Sequence, residues 1–120
     1  MRKKSILITG CSSGIGLDAA YRLHNLGWQV FATCRKQIDC DRLKLDGLES
    51  FVLDYGDPIS IDSAVQRVIN LTGGTLDALF NNGAYAIPGA VEDVSREALR
   101  QAFEVNFFGW HDLIIKVIPI

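Results

Sequence analysis

Ser5-Ile6-Leu7-Ile8-Thr9-Gly10-Cys11-Ser12-Ser13-Gly14-Ile15-Gly16 is the stretch that decides the fold. Ser5 to Thr9, apolar at its centre and uncharged, reads as a short buried strand. Ile15, Ala19, Leu23 and Leu26 then recur at spacings of four, four and three, which predicts an apolar helix face that Gly27 ends. Between strand and helix lie Gly10, Gly14 and Gly16. A side chain is costly where a backbone must turn tightly or approach a pyrophosphate, and the free N–H groups of a helix start can receive phosphate oxygens. The three glycines therefore have separate steric tasks, and Ser12 and Ser13 add hydroxyl donors. With Ile15 at the helix start they form a candidate dinucleotide cradle, the alternative being a glycine turn with structural work alone.

Outward from this turn the pattern alternates. Trp28 to Thr33 reads as a second strand, Arg35 to Lys44 as a short, poorly defined helix, and Ser50 to Leu53 as a third strand closed by Asp54. Pro58 suits the first turn of a helix whose buried face carries Ile61, Val65, Val68, Ile69 and Leu71 before Gly73-Gly74 stops it. Leu76 to Phe80 supplies strand four, followed by Asn81-Asn82-Gly83-Ala84 and a loop holding Pro88 and Gly89. Ser95 and Glu97 open a last helix with Leu99, Phe103, Trp110, Ile114 and Val117 on its apolar face. A β-α-β-α-β-α-β-α order predicts an α/β fold: a parallel sheet covered by helices in three layers, over one domain of residues 1–120.

Composition narrows the functions. The chain has 120 residues, 48% hydrophobic, and a net charge of −2. Arg2-Lys3-Lys4 and Arg35-Lys36 are too short to track a nucleic-acid backbone, so no nucleic-acid partner is expected. The apolar run after Lys4 is too short for a signal peptide or membrane span, and a cytoplasmic protein without a membrane partner is expected. Cys11, Cys34 and Cys40 form no CxxC pair, and reduced, partly buried thiols are expected rather than a metal site or disulfide.

An acidic ribose clamp should lie just beyond strand two, about 20 residues after the glycine turn. Asp18 is inside the first helix, and the clamp position reads Thr33-Cys34-Arg35-Lys36. Arg35, helped by Lys36, could neutralise a 2′-phosphate, which favours NADPH over NADH; the alternative is a solvated basic pair. Asp54 either accepts a hydrogen bond from an adenine amino group or caps the following turn. Asn81, Asn82 and Gly83 lie at the carboxyl end of strand four, beside strand one, where open α/β sheets bind ligands.

Together these residues resemble the amino-terminal part of a short-chain dehydrogenase/reductase of NADP-preferring type, over essentially the whole chain. The family's Thr-Gly-x-x-x-Gly-x-Gly turn matches Thr9 to Gly16, its Asp after strand three matches Asp54, and its Asn-Asn-Ala-Gly segment matches Asn81-Asn82-Gly83-Ala84 with the last two residues exchanged. The resemblance implies a Rossmann-like sheet of strand order 3-2-1-4, cut after the fourth strand and its helix. It implies that Ala84 takes a conformation the family leaves to glycine. It also gives Asn106 a supporting role: distorting the last helix locally and holding a water of the proton relay. On the predicted face between Phe103 and Trp110, the Asn106 amide asks for a buried partner, and a purely structural tie to backbone is the alternative.

Family members are substantially longer, and their substrate-binding serine and Tyr-x-x-x-Lys lie beyond the helix matched by Leu99 to Val117. The tyrosines here, Tyr21, Tyr55 and Tyr85, are followed four positions on by Asn25, Ile59 and Gly89. Without a neighbouring cation a phenol is a poor proton relay at neutral pH. The expected function is the NADP(H)-binding portion of a short-chain oxidoreductase, not catalytic alone, either as a remnant or as a piece completed by a carboxyl-terminal half. The alternative is a noncatalytic interaction or nucleotide-sensing module. In such a piece strand four is an exposed edge, which invites self-association.

Overall fold

Strand β1 (Ser5–Ile8) is buried along its whole length and lies at the centre of the structure. The computed structural model describes residues 2–120, so the first residue of the expected domain lies outside the described part. Helix α1 (Gly14–Asn25) follows the glycine turn, then β2 (Gln29–Cys34), α2 (Gln37–Leu45) and β3 (Glu49–Val52). Helix α3 (Pro58–Thr72) leads to the three-residue β4 (Ala78–Phe80). A 3-10 turn, Val91–Asp93, precedes α4 (Arg96–Phe103), a π-helical stretch Glu104–Gly109, and α5 (Trp110–Val117).

The sheet is parallel with order β3-β2-β1-β4. Ile8 stands opposite Ala32 on one side and Phe80 on the other. The chain therefore runs outward from β1 to β3 and then returns past β1 to β4. That reversal opens a crevice at the carboxyl ends of β1 and β4, the switch point at which open α/β sheets take ligands.

Side chains alternate between two cores, as the period of a strand requires. Ile6, Ile8, Val30, Ala32 and Cys34 face α1 and α2, meeting Ala20, Cys40 and Leu43. Leu7, Phe31, Phe51 and Leu53 face α3 and α5, meeting Ile61, Val65, Val68 and Leu113. Helices on both faces make the three layers. The start of β4 is tied to β1 by Asp77, which accepts two hydrogen bonds from Arg2 at 2.8 and 2.9 Å and one from the Ser5 N–H at 2.7 Å. The Arg2 hydrogen bonds hold this carboxyl well below the usual carboxylate range.

Several expectations change. Ile15 and Leu26 are 72% and 76% exposed and do not belong to the buried face of α1. Gly16 and Ala20 are its buried residues, and Leu17, Ala19, Tyr21 and Leu23 pack partly buried against the same core. The Arg35 to Lys44 stretch contains a formed helix, α2, anchored by buried Cys40 and Leu43. Leu71 is exposed, and β4 is shorter than the apolar run suggests. The last helix is not one continuous α-helix. Leu99 and Phe103 are both half exposed, whereas Leu113 is fully buried and Val105 and Gly109 face inward. Among the described residues no helix is long and apolar enough to cross a membrane.

Candidate functional site

At the switch point a crevice of about 490 Å³ is lined by Thr9, Gly10 and Ser12 from the glycine turn and by Arg35 and Lys36 from the end of β2. Asp54 and Tyr55 line it after β3, and Gly83 after β4. Of the candidate residues, six line it: Gly10, Ser12, Arg35, Lys36, Asp54 and Gly83. Ser13, Gly14, Ile15, Gly16, Asn82 and Asn106 are not on its wall.

The glycines divide their work as steric reasoning asks. Gly10 has φ +68°, and a Cβ there would stand 2.7 Å from the Gly83 Cα. Gly14 has φ +62° and open space where a side chain would be. Gly16 is buried, and a Cβ on it would meet the Gly10 carbonyl oxygen at 2.4 Å. The strand-to-helix turn can close only with hydrogen there. Ser13 occupies the N-cap of α1 without a side-chain hydrogen bond, so the first-turn N–H groups keep their donors for an outside acceptor.

Arg35 and Lys36 are exposed and precede the first turn of α2. Neither is in an ion pair among the described residues. Asp39, also on the wall, is held by Arg42 at 3.3 Å, and Arg42 donates to the Ser12 carbonyl at 3.0 Å. Arg42 thus fastens the glycine turn to α2. The only mark this pair leaves in the sequence is the helical i, i+3 spacing of an acid and a base.

Asp54 performs the turn-capping task. Its Oδ1 accepts from the Gly56 N–H at 2.9 Å, and its own N–H donates to the Ser60 hydroxyl at 2.9 Å. The carboxylate still lines the crevice, so capping leaves it able to meet a ligand.

Thr9, itself almost wholly buried, organises the β4 end. Its Oγ1 accepts from the N–H groups of Asn82 and Gly83, each at 3.0 Å. The Asn82 amide donates to the carbonyls of Thr9 and Gly10, both at 3.2 Å. Asn82 is therefore a brace between two loops. Ala84 does not take the conformation reserved for glycine: no non-glycine residue has positive φ among the described residues. The exchanged order is accommodated because the Gly83 site has no room for a Cβ, which would lie 2.9 Å from Tyr55 Cε2.

Asn106 lies in the π-helical stretch and is exposed, contrary to the expectation of a core-facing amide. Its Oδ1 accepts from the Tyr85 N–H at 2.8 Å and its Nδ2 donates to the Tyr85 carbonyl at 2.6 Å. The backbone partner that its polarity demands comes from the loop after β4. The widened turn swings the amide out of the Phe103–Trp110 face toward that loop.

Cys11, Cys34 and Cys40 are buried free thiols. Burial pushes the Cys11 and Cys34 thiols up to about 12. Protonated at neutral pH, they are poor nucleophiles and ligands.

Comparisons with known proteins agree with this geometry. A family model described as short chain dehydrogenase matches residues 4–120. An uncharacterized oxidoreductase of Escherichia coli, YbbO, is 42% identical over 117 residues, covering 98% of this chain and 44% of its own length. A crystal structure of a short-chain dehydrogenase from Streptomyces avermitilis superposes with a TM-score of 0.88 at 32% identity, covering 98% of this chain and 44% of that one. The NADPH-bound carbonyl reductase from chicken fatty liver superposes at 0.85 with 26% identity, covering 99% and 52%. The chain spans under half the length of the first two relatives.

Proposed function

The chain belongs to the short-chain dehydrogenase family, and from that premise we propose that it is the NADP(H)-holding portion of an oxidoreductase that reduces a carbonyl or oxidises a secondary alcohol. The observation that carries the proposal is one crevice lined by Gly10 and Ser12 of the glycine turn, which leads into the uncapped N-terminus of α1, and by Arg35 and Lys36, which are in no ion pair among the described residues. A pyrophosphate suits the glycine turn and a 2′-phosphate the basic pair, since both sets of donors lack a protein acceptor among the described residues. Gly10, Ser12, Ser13, Gly14, Ile15 and Gly16 would hold the pyrophosphate. Asp54, Asn82 and Gly83 would bound the adenosine and the floor.

The nicotinamide supplies the hydride when the cofactor is bound. This chain's residues bind and orient. Asn106 keeps the Tyr85 loop against the crevice through its two hydrogen bonds, which is its supporting role. The chain's other proposed partner is a carboxyl-terminal half bearing the serine and Tyr-x-x-x-Lys. Without it, the unpaired side of β4 promotes self-association. The proposed location is the cytoplasm.

Calorimetric titration of the full chain with NADPH and NADH tests the cofactor reading. Saturable binding with NADPH preferred is expected, and Arg35→Ala should weaken NADPH roughly tenfold or more while leaving NADH within about twofold. Folded protein giving no saturable heat with either nucleotide would sink the proposal. Equal affinities in the wild type would remove the role of Arg35.

A further inference from the structure

We infer that Tyr55 is the positioning residue of the Asn81–Gly83 segment: its hydroxyl completes a one-way hydrogen-bond chain from Thr9 to Asn81, and its ring takes the space that only a glycine at 83 leaves open. The inference deepens the cofactor reading and rests on it for its effect on nucleotide binding.

Proton counting sets the direction of the chain. A hydroxyl has one proton and two acceptor positions. Both acceptor positions of the Thr9 hydroxyl are filled by the Asn82 and Gly83 N–H groups. Thr9 must therefore donate its proton. The Phe80 carbonyl at 3.5 Å is at the outer limit and already accepts the Thr9 N–H, whereas the Tyr55 Oη is 2.6 Å away. Tyr55 accepts from Thr9 and passes its own proton to Asn81 Oδ1. The opposite orientation of the Asn81 amide would set a donor against the phenol's proton. Every group in the chain is satisfied in one arrangement only.

The ring acts with the hydroxyl. Trp110 packs on it at 6.2 Å between centroids and donates its indole N–H to the Gly83 carbonyl at 2.8 Å. Gly83 is thus held at both backbone groups, by Thr9 and by Trp110, around the Tyr55 ring. A Cβ on Gly109 would stand 2.6 Å from Tyr55 Cβ, so the end of the π-helical stretch closes on the same side chain. Since Tyr55 and Gly83 both line the crevice, the position of the ring sets the position of its wall.

Amide hydrogen exchange on the full chain, without nucleotide, reads the positioning directly. In Tyr55→Phe the ring remains and Thr9 loses its acceptor, so the Asn82 and Gly83 amides should exchange about tenfold faster, with the β2 amides of Val30 to Thr33 unchanged. Gly83→Ala should likewise loosen the segment, because its methyl would be set against the Tyr55 ring. In nucleotide titrations Tyr55→Phe should weaken NADPH and NADH by the same factor, since the segment contacts what the two share. Unchanged exchange at Asn82 and Gly83 in Tyr55→Phe, or acceleration of all amides together, would each overturn the inference. A wild-type chain that binds neither nucleotide overturns the cofactor reading, and the exchange result then still decides the role of Tyr55 in holding the segment.

Discussion

Cys11 sits inside the glycine turn with no exposed surface, its Sγ donating to the Ile8 carbonyl at 3.2 Å and its N–H to that of Thr33 at 2.9 Å. Burial is the main reason its thiol is pushed from 9.0 to about 12. The unfolded chain therefore releases this proton first as pH rises. The thiol's contribution to stability is complete below about pH 9 and is lost as pH climbs toward 12. Urea unfolding midpoints measured across this window should fall in the wild type, and Cys11→Ala should flatten part of the fall. Identical alkaline slopes in both proteins would show that the thiol titrates the same way folded and unfolded. At this scale the sequence was informative about residue type and silent about partners. The spacing of Gly10, Gly14 and Gly16 was legible because steric need leaves a compositional mark. The Thr9–Tyr55–Asn81 chain was not, because its members come from three elements that only the sheet order brings together.

Element boundaries were legible wherever a local chemical signal marked them. Asp57 caps α3 through its side chain, Pro58 fills the first turn, and Ser95 accepts from the Ala98 N–H at 3.1 Å to start α4. Helix faces were harder to read, for one physical reason. Both α1 and the α4–α5 segment place glycines at their tightest contacts, Gly16 against the Gly10 carbonyl and Gly109 against Tyr55. A pattern search weighted toward bulk then selects the neighbouring positions, such as Ile15 and Phe103, which face outward. The π-helical stretch compounds the error by adding a residue to the turn, which rotates the α5 positions about the helix axis. Its cost is offset at Asn106, whose two hydrogen bonds fix the loop at Tyr85. Asn106→Ala should leave the helices formed by circular dichroism but release the loop. Limited proteolysis between Ala84 and Ala90 should accelerate about tenfold, as expected for the loss of two partly exposed hydrogen bonds. A cleavage rate equal to wild type would show that the loop is held by other contacts.

The whole molecule offers two surfaces on which chains could meet. In the described sheet β4 pairs with β1 alone, so its other side presents unpaired backbone groups between apolar side chains. The outer face of the last helices exposes Phe103, Phe107 and Phe108, with Phe107 and Phe108 in edge contact at 5.6 Å. Backbone pairing at the edge is directional and satisfies several N–H and C=O groups at once, whereas the aromatic face offers burial without register. Self-association through the edge should therefore survive loss of the aromatic face. Sedimentation velocity over a concentration series should show the wild-type chain forming dimers or larger species, and Phe107→Lys with Phe108→Lys should leave that distribution nearly unchanged. A distribution that collapses to monomer in the double variant would assign the contact to the helices. A wild type that stays monomeric throughout would show that β4 is protected without a partner, and would leave the short length of the strand and the Asp77 anchor to Arg2 and Ser5 as the features that blunt it.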